Sequence, residues 1–197
     1  MSEVLVVPTG VANLASVLAG LRRAGAEPRV EHDPARVAAA GRVVLPGVGA
    51  FAAGVQELRE RELAAALSER VQGGAPTLAV CLGLQLLGAS SDESPGTVGL
   101  SCLDTHAAAF PPGVRAPQFG WNHIQPDPGC QLLRAGYAYF ANSFRLPQAP
   151  TGWYAAWADH GGPFVAALEK GAVLACQFHP ELSGPFGTSL LRRWLSL

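Results

Sequence analysis

Three observations predict an α/β fold built on an open, mostly parallel sheet, with helices on both faces and an antiparallel extension in the second half. Apolar strands alternate with amphipathic helices through the first ninety or so residues of this 197-residue chain, the rhythm of βαβ units. After about Ser90 the pattern changes to strand-like pieces separated by Pro and Gly, as antiparallel strands require. The 23 glycines and 16 prolines fall between apolar runs rather than in one low-complexity block, so they punctuate many short elements. The length fits one domain, 1–197, able to bury a core without disulfides. No internal repeat or linker divides it.

Residues 3–7 form a short β-branched run. From Asn13 to Ala24, Leu14, Val17, Leu18 and Leu21 recur at helical spacing, and Gly25 stops the helix. A strand is expected over 42–45, ending at Pro46-Gly47, then a helix with a charged face over 55–71, closed by Gly73-Gly74. Residues 77–80 read as another buried strand, giving way to helix at Cys81. Strands are expected over 114–124, 137–144, 153–158, 164–168 and 172–178, and a final helix over 185–195.

The formal net charge is -1 and the charges are scattered, which disfavours binding to a phosphate backbone. The N-terminus lacks a basic leader region, and the apolar runs fall short of the roughly 18 residues that suggest a membrane span. A cytoplasmic protein without membrane or nucleic-acid partners is expected. Cys81, Cys102, Cys130 and Cys176 are widely spaced with no C-x-x-C pair, against structural zinc or a stapled secreted domain. Cys102, Cys130 and Cys176 read as small hydrophobes.

Ligands on open parallel sheets sit beyond the carboxyl ends of the strands, which singles out three turns: 8–11, 46–49 and 81–83. Cys81 stands in Ala79-Val80-Cys81-Leu82-Gly83. Small residues two before and two after permit the tight strand-to-helix turn that lifts a nucleophile above the sheet edge. A helix N-terminus there favours a negatively charged sulfur. Taken alone, Cys81 is equally a buried apolar residue.

A cysteine that attacks an amide needs a base, usually a histidine oriented by a third group. His32, His106, His123 and His160 lie in polar or Gly/Pro-rich surroundings that suit solvated or turn positions. His179 follows an apolar strand in Cys176-Gln-Phe-His-Pro-Glu-Leu-Ser183. In extended backbone, residues two apart share a face, so Glu181 can orient His179 with Pro180 stiffening the link; an exposed His beside a Glu is the plainer alternative. For the oxyanion, the Leu82 N–H is one candidate donor and Val48 or Gly49 a second. Glycines flanking Val48 would let one peptide reorient, although a Gly-rich turn is common in itself.

Five blocks then coincide with a known pattern: Leu-Pro-Gly-Val-Gly-Ala-Phe (45–51), Val-Cys-Leu-Gly-Leu-Gln-Leu-Leu (80–87), Gly-Trp-Asn (120–122), Tyr-Phe-Ala-Asn-Ser-Phe (139–144) and Gln-Phe-His-Pro-Glu-Leu-Ser-Gly (177–184). In these the chain resembles the class I (triad) glutamine amidotransferases, whose sheet is flavodoxin-like, and within them the glutaminase subunits of imidazole glycerol phosphate synthases. The resemblance implies Cys81 as nucleophile, His179 as general base and acid, and Glu181 as its orienter. Gln85, with the backbone around Ser143 and Phe144, corresponds to the glutamine-holding positions. It further implies glutamine as substrate, no metal or organic cofactor, and a heterodimeric partner, a (β/α)8-barrel cyclase of histidine biosynthesis that receives the ammonia.

The chain departs from the pattern in places. The first turn, usually Asp-Tyr-Gly-x-Gly-Asn, is Pro8-Thr-Gly-Val-Ala-Asn13, and the usual Pro-His-Met-Gly-Trp-Asn is Pro117-Gln-Phe-Gly-Trp-Asn122. Asn142 stands for a usual His, Leu182 for a usual Lys, and residues 100–110 fit poorly. These changes bear on docking and regulation and leave Cys81, His179 and Glu181 untouched.

Overall fold

A computed structural model describes residues 2–9 and 13–197; half of the turn singled out at 8–11, residues 10 and 11, lies outside them. The first half runs β1 (Ser2–Val6), α1 (Leu14–Ala24), β2 (Ala26–Val30), α2 (Pro34–Ala39), β3 (Val43–Gly47), α3 (Phe51–Glu60), α4 (Leu63–Gln72), β4 (Thr77–Cys81) and α5 (Leu82–Leu87). Then come β5 (Ser90–Ser91), β6 (His106–Ala109), β7 (Gln118–Pro126), β8 (Gly136–Asn142), β9 (Phe144–Arg145), β10 (Tyr154–Asp159), β11 (Pro163–Lys170) and β12 (Val173–Cys176). A 3-10 turn, Pro180–Leu182, and α6 (Gly184–Leu195) complete the order.

Nine strands form the main sheet in the order β2-β1-β3-β4-β12-β11-β10-β7-β8. β2 through β12 pair in parallel, and from β12 outward every pairing is antiparallel. This is the parallel sheet with an antiparallel extension that the change of rhythm near Ser90 implied.

Period-two alternation sorts each central strand into two cores. Val4, Val6, Val44, Leu78, Val80 and Leu174 face the layer that contains Val17 and Leu21 of α1 and Trp194 of α6. Leu5, Val43, Leu45, Ala79 and Ala175 face the layer that contains Val55 and Leu58 of α3 and Leu63 and Leu67 of α4. With both faces covered, β3 and β4 are buried at every position, so the sequence shows them as unbroken apolar runs.

Helix ends follow local chemistry. The Asn13 side chain accepts from Ser16 N–H at the start of α1, and Gly25 closes it at φ 102°, a left-handed conformation that suits glycine. Asp33 caps α2, with Pro34 in its first turn. α2 is only six residues long, and Arg70 from α4 holds its end, donating to the carbonyls of Val37, Ala38 and Ala40 and also to Pro76.

The structure corrects several expected boundaries. The single helix over 55–71 is two helices, because Glu62 adopts φ 58° between them. The strand expected over 114–124 begins at Gln118, and that over 172–178 spans Val173–Cys176. β2 and α2 were not anticipated, nor was the small sheet β5-β6-β9, whose β6 takes His106–Ala109 from the poorly fitting 100–110 segment.

Candidate active site

β3, β4 and β12 lie side by side in parallel, so the segments leaving their carboxyl ends converge. Gly47, the last residue of β3, is in register with Cys81, the last of β4. Cys81 has φ 55° and ψ -110°, a conformation that non-glycine residues avoid and that persists only where the surroundings enforce it. The enforcement comes from close packing behind the turn. A Cβ on Gly83 would stand 2.0 Å from the Leu45 carbonyl oxygen, and one on Gly47 would stand 2.9 Å from the Leu82 Cβ. Thr9 adds a hydrogen bond from its hydroxyl to the Pro46 carbonyl at 3.0 Å. The strand-to-helix elbow expected from the small residues around Cys81 is therefore formed.

His179 arrives from the other side, after β12. Its N–H donates to the Tyr139 carbonyl at 2.9 Å, and its own carbonyl accepts from the Ser183 hydroxyl at 2.6 Å. The Tyr139 N–H donates to that hydroxyl at 2.9 Å, so β8 clamps the turn that carries the imidazole. The imidazole Nδ1 lies 2.8 Å from Glu181 Oε1. The two side chains meet, but not by sharing a face of extended backbone as expected. Residues 180–182 wind into a 3-10 turn, and the turn brings residue 181 back beneath residue 179.

Cys81, His179 and Glu181 are 7%, 6% and 7% exposed, a degree of burial that strengthens electrostatic coupling among them. Burial by itself pulls the His179 imidazole down. Hydrogen bonding to Cys81 and Glu181, with Coulombic attraction to both, outweighs it and lifts the imidazole to about 10. The group is thus an imidazolium at neutral pH, placed between a sulfur and a carboxylate. Glu181 Oε2 is buried and finds no partner among the described residues.

A cavity of about 230 Å³ opens over Cys81, lined by Val48, Gly49, Leu82, Gln85, Ser143 and Phe144 among others. Every oxyanion and substrate-binding residue anticipated from the sequence lies on its wall. Gly49 has φ 101°, the freedom expected of a glycine beside Val48. The Gln85 amide donates to the Phe144 carbonyl at 3.3 Å and to Gln177 Oε1 at 3.0 Å, and the Gln177 amide donates to the Cys81 sulfur at 3.7 Å. Asn142, at the position of a usual His, donates to the same Phe144 carbonyl at 2.9 Å.

Two residues at the site escaped the sequence reading, Glu93 on the cavity wall and Gln177 buried behind Gln85 and Cys81. Gln177 reads there only as a polar strand end. Glu93 sits in an unremarkable Ser-Asp-Glu-Ser loop, yet it lines the cavity and accepts the Phe51 N–H at 2.7 Å, anchoring the start of α3. No local signal marks either residue.

The remaining histidines and thiols lie elsewhere. His106 is exposed at the start of β6, between Ser90 Oγ at 2.8 Å and Asp92 Oδ1 at 2.7 Å. Burial raises the Cys102 and Cys176 thiols, and raises Cys130 to about 11, as expected of inert cysteines. Among the described residues no group of three His, Cys, Asp or Glu side chains could hold a metal ion, and no helix is long and apolar enough to cross a membrane.

Comparison with known proteins gives this geometry its context. Residues 9–196 match the family model for glutamine amidotransferase class-I. Imidazole glycerol phosphate synthase subunit HisH of Symbiobacterium thermophilum is 39% identical, over 98% of this chain and 93% of that one. The subunit of the same name in Escherichia coli (strain K12) is also 39% identical, over 99% of this chain and 100% of that one. A solved glutamine amidotransferase shares the fold, with a TM-score of 0.77 at 20% identity over 98% of this chain and 97% of that one. Another, from Thermotoga maritima, has a TM-score of 0.63 at 14% identity, over 99% and 81%. The chain belongs to the class-I glutamine amidotransferases and, within them, to the family of imidazole glycerol phosphate synthase subunit HisH.

Proposed function

We propose that residues 1–197 form one glutamine amidotransferase domain that hydrolyses glutamine and passes the ammonia to a (β/α)8-barrel cyclase, the other half of an imidazole glycerol phosphate synthase in histidine biosynthesis. The observation that carries this reading is the backbone of Cys81, held at positive φ beside a buried His179–Glu181 pair and beneath a cavity the size of a small metabolite.

In the cavity, the carboxamide of glutamine lies over Cys81. The Glu93 carboxylate, on the wall with Gln85 and the Ser143–Phe144 backbone, suits the substrate's α-ammonium group. The sulfur attacks the amide carbon, and the C–S bond forms as the C=O π pair moves to oxygen. The Leu82 N–H and a donor from Val48 or Gly49 meet that oxyanion. The His179 imidazolium then gives its proton to the amide nitrogen, the C–N bond breaks, and ammonia leaves a thioester behind. The neutral imidazole next takes a proton from water, which attacks the thioester. Glutamate departs with the C–S bond broken, and the free sulfur stands again beside a protonated imidazole. Glu181 holds Nδ1 throughout, which keeps Nε2 directed at the reacting atoms.

Ammonia released into water would become ammonium, a poor nucleophile, so the product needs a receiving site close by. Phe119, Trp121 and Leu182 are exposed hydrophobics, and Phe119 also lines the cavity, a composition suited to a docked partner. The proposed setting is cytoplasmic. Cys81→Ala tests the reading: glutamate release from glutamine should vanish in the presence of the cyclase, and retention of that activity would refute the role given to the thiol.

A further inference from the structure

Gly20 lies in the middle of α1, where glycine is a poor helix former and where no positive φ calls for it. The reason is contact. A Cβ built on Gly20 would stand 2.6 Å from the Glu181 Cβ and 3.0 Å from its Cα, whereas ordinary contact begins at 3.4 Å. The bare face of α1 thus rests directly on the backbone of the residue that orients His179. One turn further along the helix, Arg23 Nη2 donates to the Glu181 carbonyl oxygen at 2.9 Å, and the same nitrogen is 3.6 Å from where the Gly20 Cβ would be. The glycine therefore makes room for Glu181, while the guanidinium that holds Glu181 lies beside the same spot at ordinary contact distance. Arg192 of α6 donates to the Arg23 carbonyl at 3.3 Å, tying the clamp to the helix that follows the catalytic turn.

We propose that Gly20 and Arg23 are positioning residues for hydrolysis of glutamine: together they set the depth of Glu181, and through it the orientation of the His179 imidazole. The inference rests on the triad reading above. The 3-10 turn has no hydrogen bond of its own to the Glu181 carbonyl among those of the described residues, so α1 supplies the external reference. An added methyl at residue 20 would push Glu181 back by roughly 1 Å, and misplacements of that size cost up to about a hundredfold in rate. The substrate cavity does not include residues 20, 23 or 181, so glutamine binding is spared.

The test compares Gly20→Ala, Arg23→Ala, Glu181→Ala and, as a neighbouring exposed control, Arg22→Ala, each in complex with the cyclase and with glutamine as substrate. The expected result is a kcat lower by about ten- to a hundredfold for Gly20→Ala and by a smaller factor for Arg23→Ala. KM should be unchanged in both, ammonium-supported turnover unaffected, and the control indistinguishable from the parent. Should Gly20→Ala fail to fold, Arg23→Ala decides by the same split between kcat and KM. Full kcat in both variants, or a rise in KM alone, overturns the proposal while Glu181→Ala still shows the triad to be needed. Full activity in Glu181→Ala removes the triad reading itself, and the proposal with it.

Discussion

At Cys81 the backbone angles themselves are informative. A cysteine at φ 55° and ψ -110° costs of order 1–3 kcal/mol, and a residue that merely fills a core has no need of it. Around it the sequence showed most of the geometry. Cys81 and Gly83 marked the elbow, while His179 and Glu181 followed a strand that a parallel sheet delivers to the same edge. The sequence did not show that a 3-10 turn would join residues 179 and 181, since Pro180 is compatible with extended and helical paths alike. Glu93 and Gln177 stayed hidden because their roles arise only from long-range contacts. Two predictions belong at this scale. Glu181→Gln should lower kcat by about two to four orders of magnitude with little change in KM, as measured by glutamate release. His179 gives the second. Its folded value near 10 lies above the ordinary 6.5, so its stabilising contribution is full below about pH 6.5 and is lost as pH rises through about 10. Urea unfolding should therefore show the parent losing more stability between those limits than His179→Gln does; equal losses would contradict the charged pairing.

At the level of elements, legibility tracked how a segment is stabilised. α1 was readable because its periodic leucines and Gly25 cap are local signals. The break between α3 and α4 was not, because Glu62 takes a left-handed conformation with neither Gly nor Pro to announce it. α2 was missed for a different reason: six residues cannot sustain a helix alone, and this one depends on Arg70 from a neighbouring element. Arg70 is 4% exposed and donates to four carbonyls. Arg70→Met keeps the aliphatic bulk and strands those acceptors, with an expected loss of about 3 kcal/mol in denaturant unfolding. The α5 elbow has a steric counterpart. In Gly83→Ala the new methyl collides with the Leu45 carbonyl, so both stability and glutamine hydrolysis should fall together, unlike at Gly20, where rate alone is expected to suffer.

Across the whole molecule, the parallel half of the sheet delivers Cys81 and His179 and the antiparallel half builds the surface around them. β3, β4 and β12 bring the Gly47–Gly49 turn, the thiol and the imidazole to one edge, while β7 and β8 present Phe119, Trp121 and Tyr137 to solvent. The alternation of strands and helices made the first half legible. The second half was readable as strands but not as an order, because β12 leaves the antiparallel meander and inserts beside β4, a long-range pairing that no local pattern encodes. The exposed aromatic edge next to the cavity is the docking surface proposed for the receiving partner, and Trp121→Asp should weaken co-elution with the cyclase while leaving the far-UV circular dichroism of the chain unchanged. The division of labour itself is tested most directly by reconstituting Cys81→Ala with the cyclase and measuring imidazole glycerol phosphate formation, first with glutamine and then with an ammonium salt. The expected result is no product from glutamine and undiminished product from ammonium; product from glutamine, or failure with both nitrogen sources in an intact complex, would contradict it.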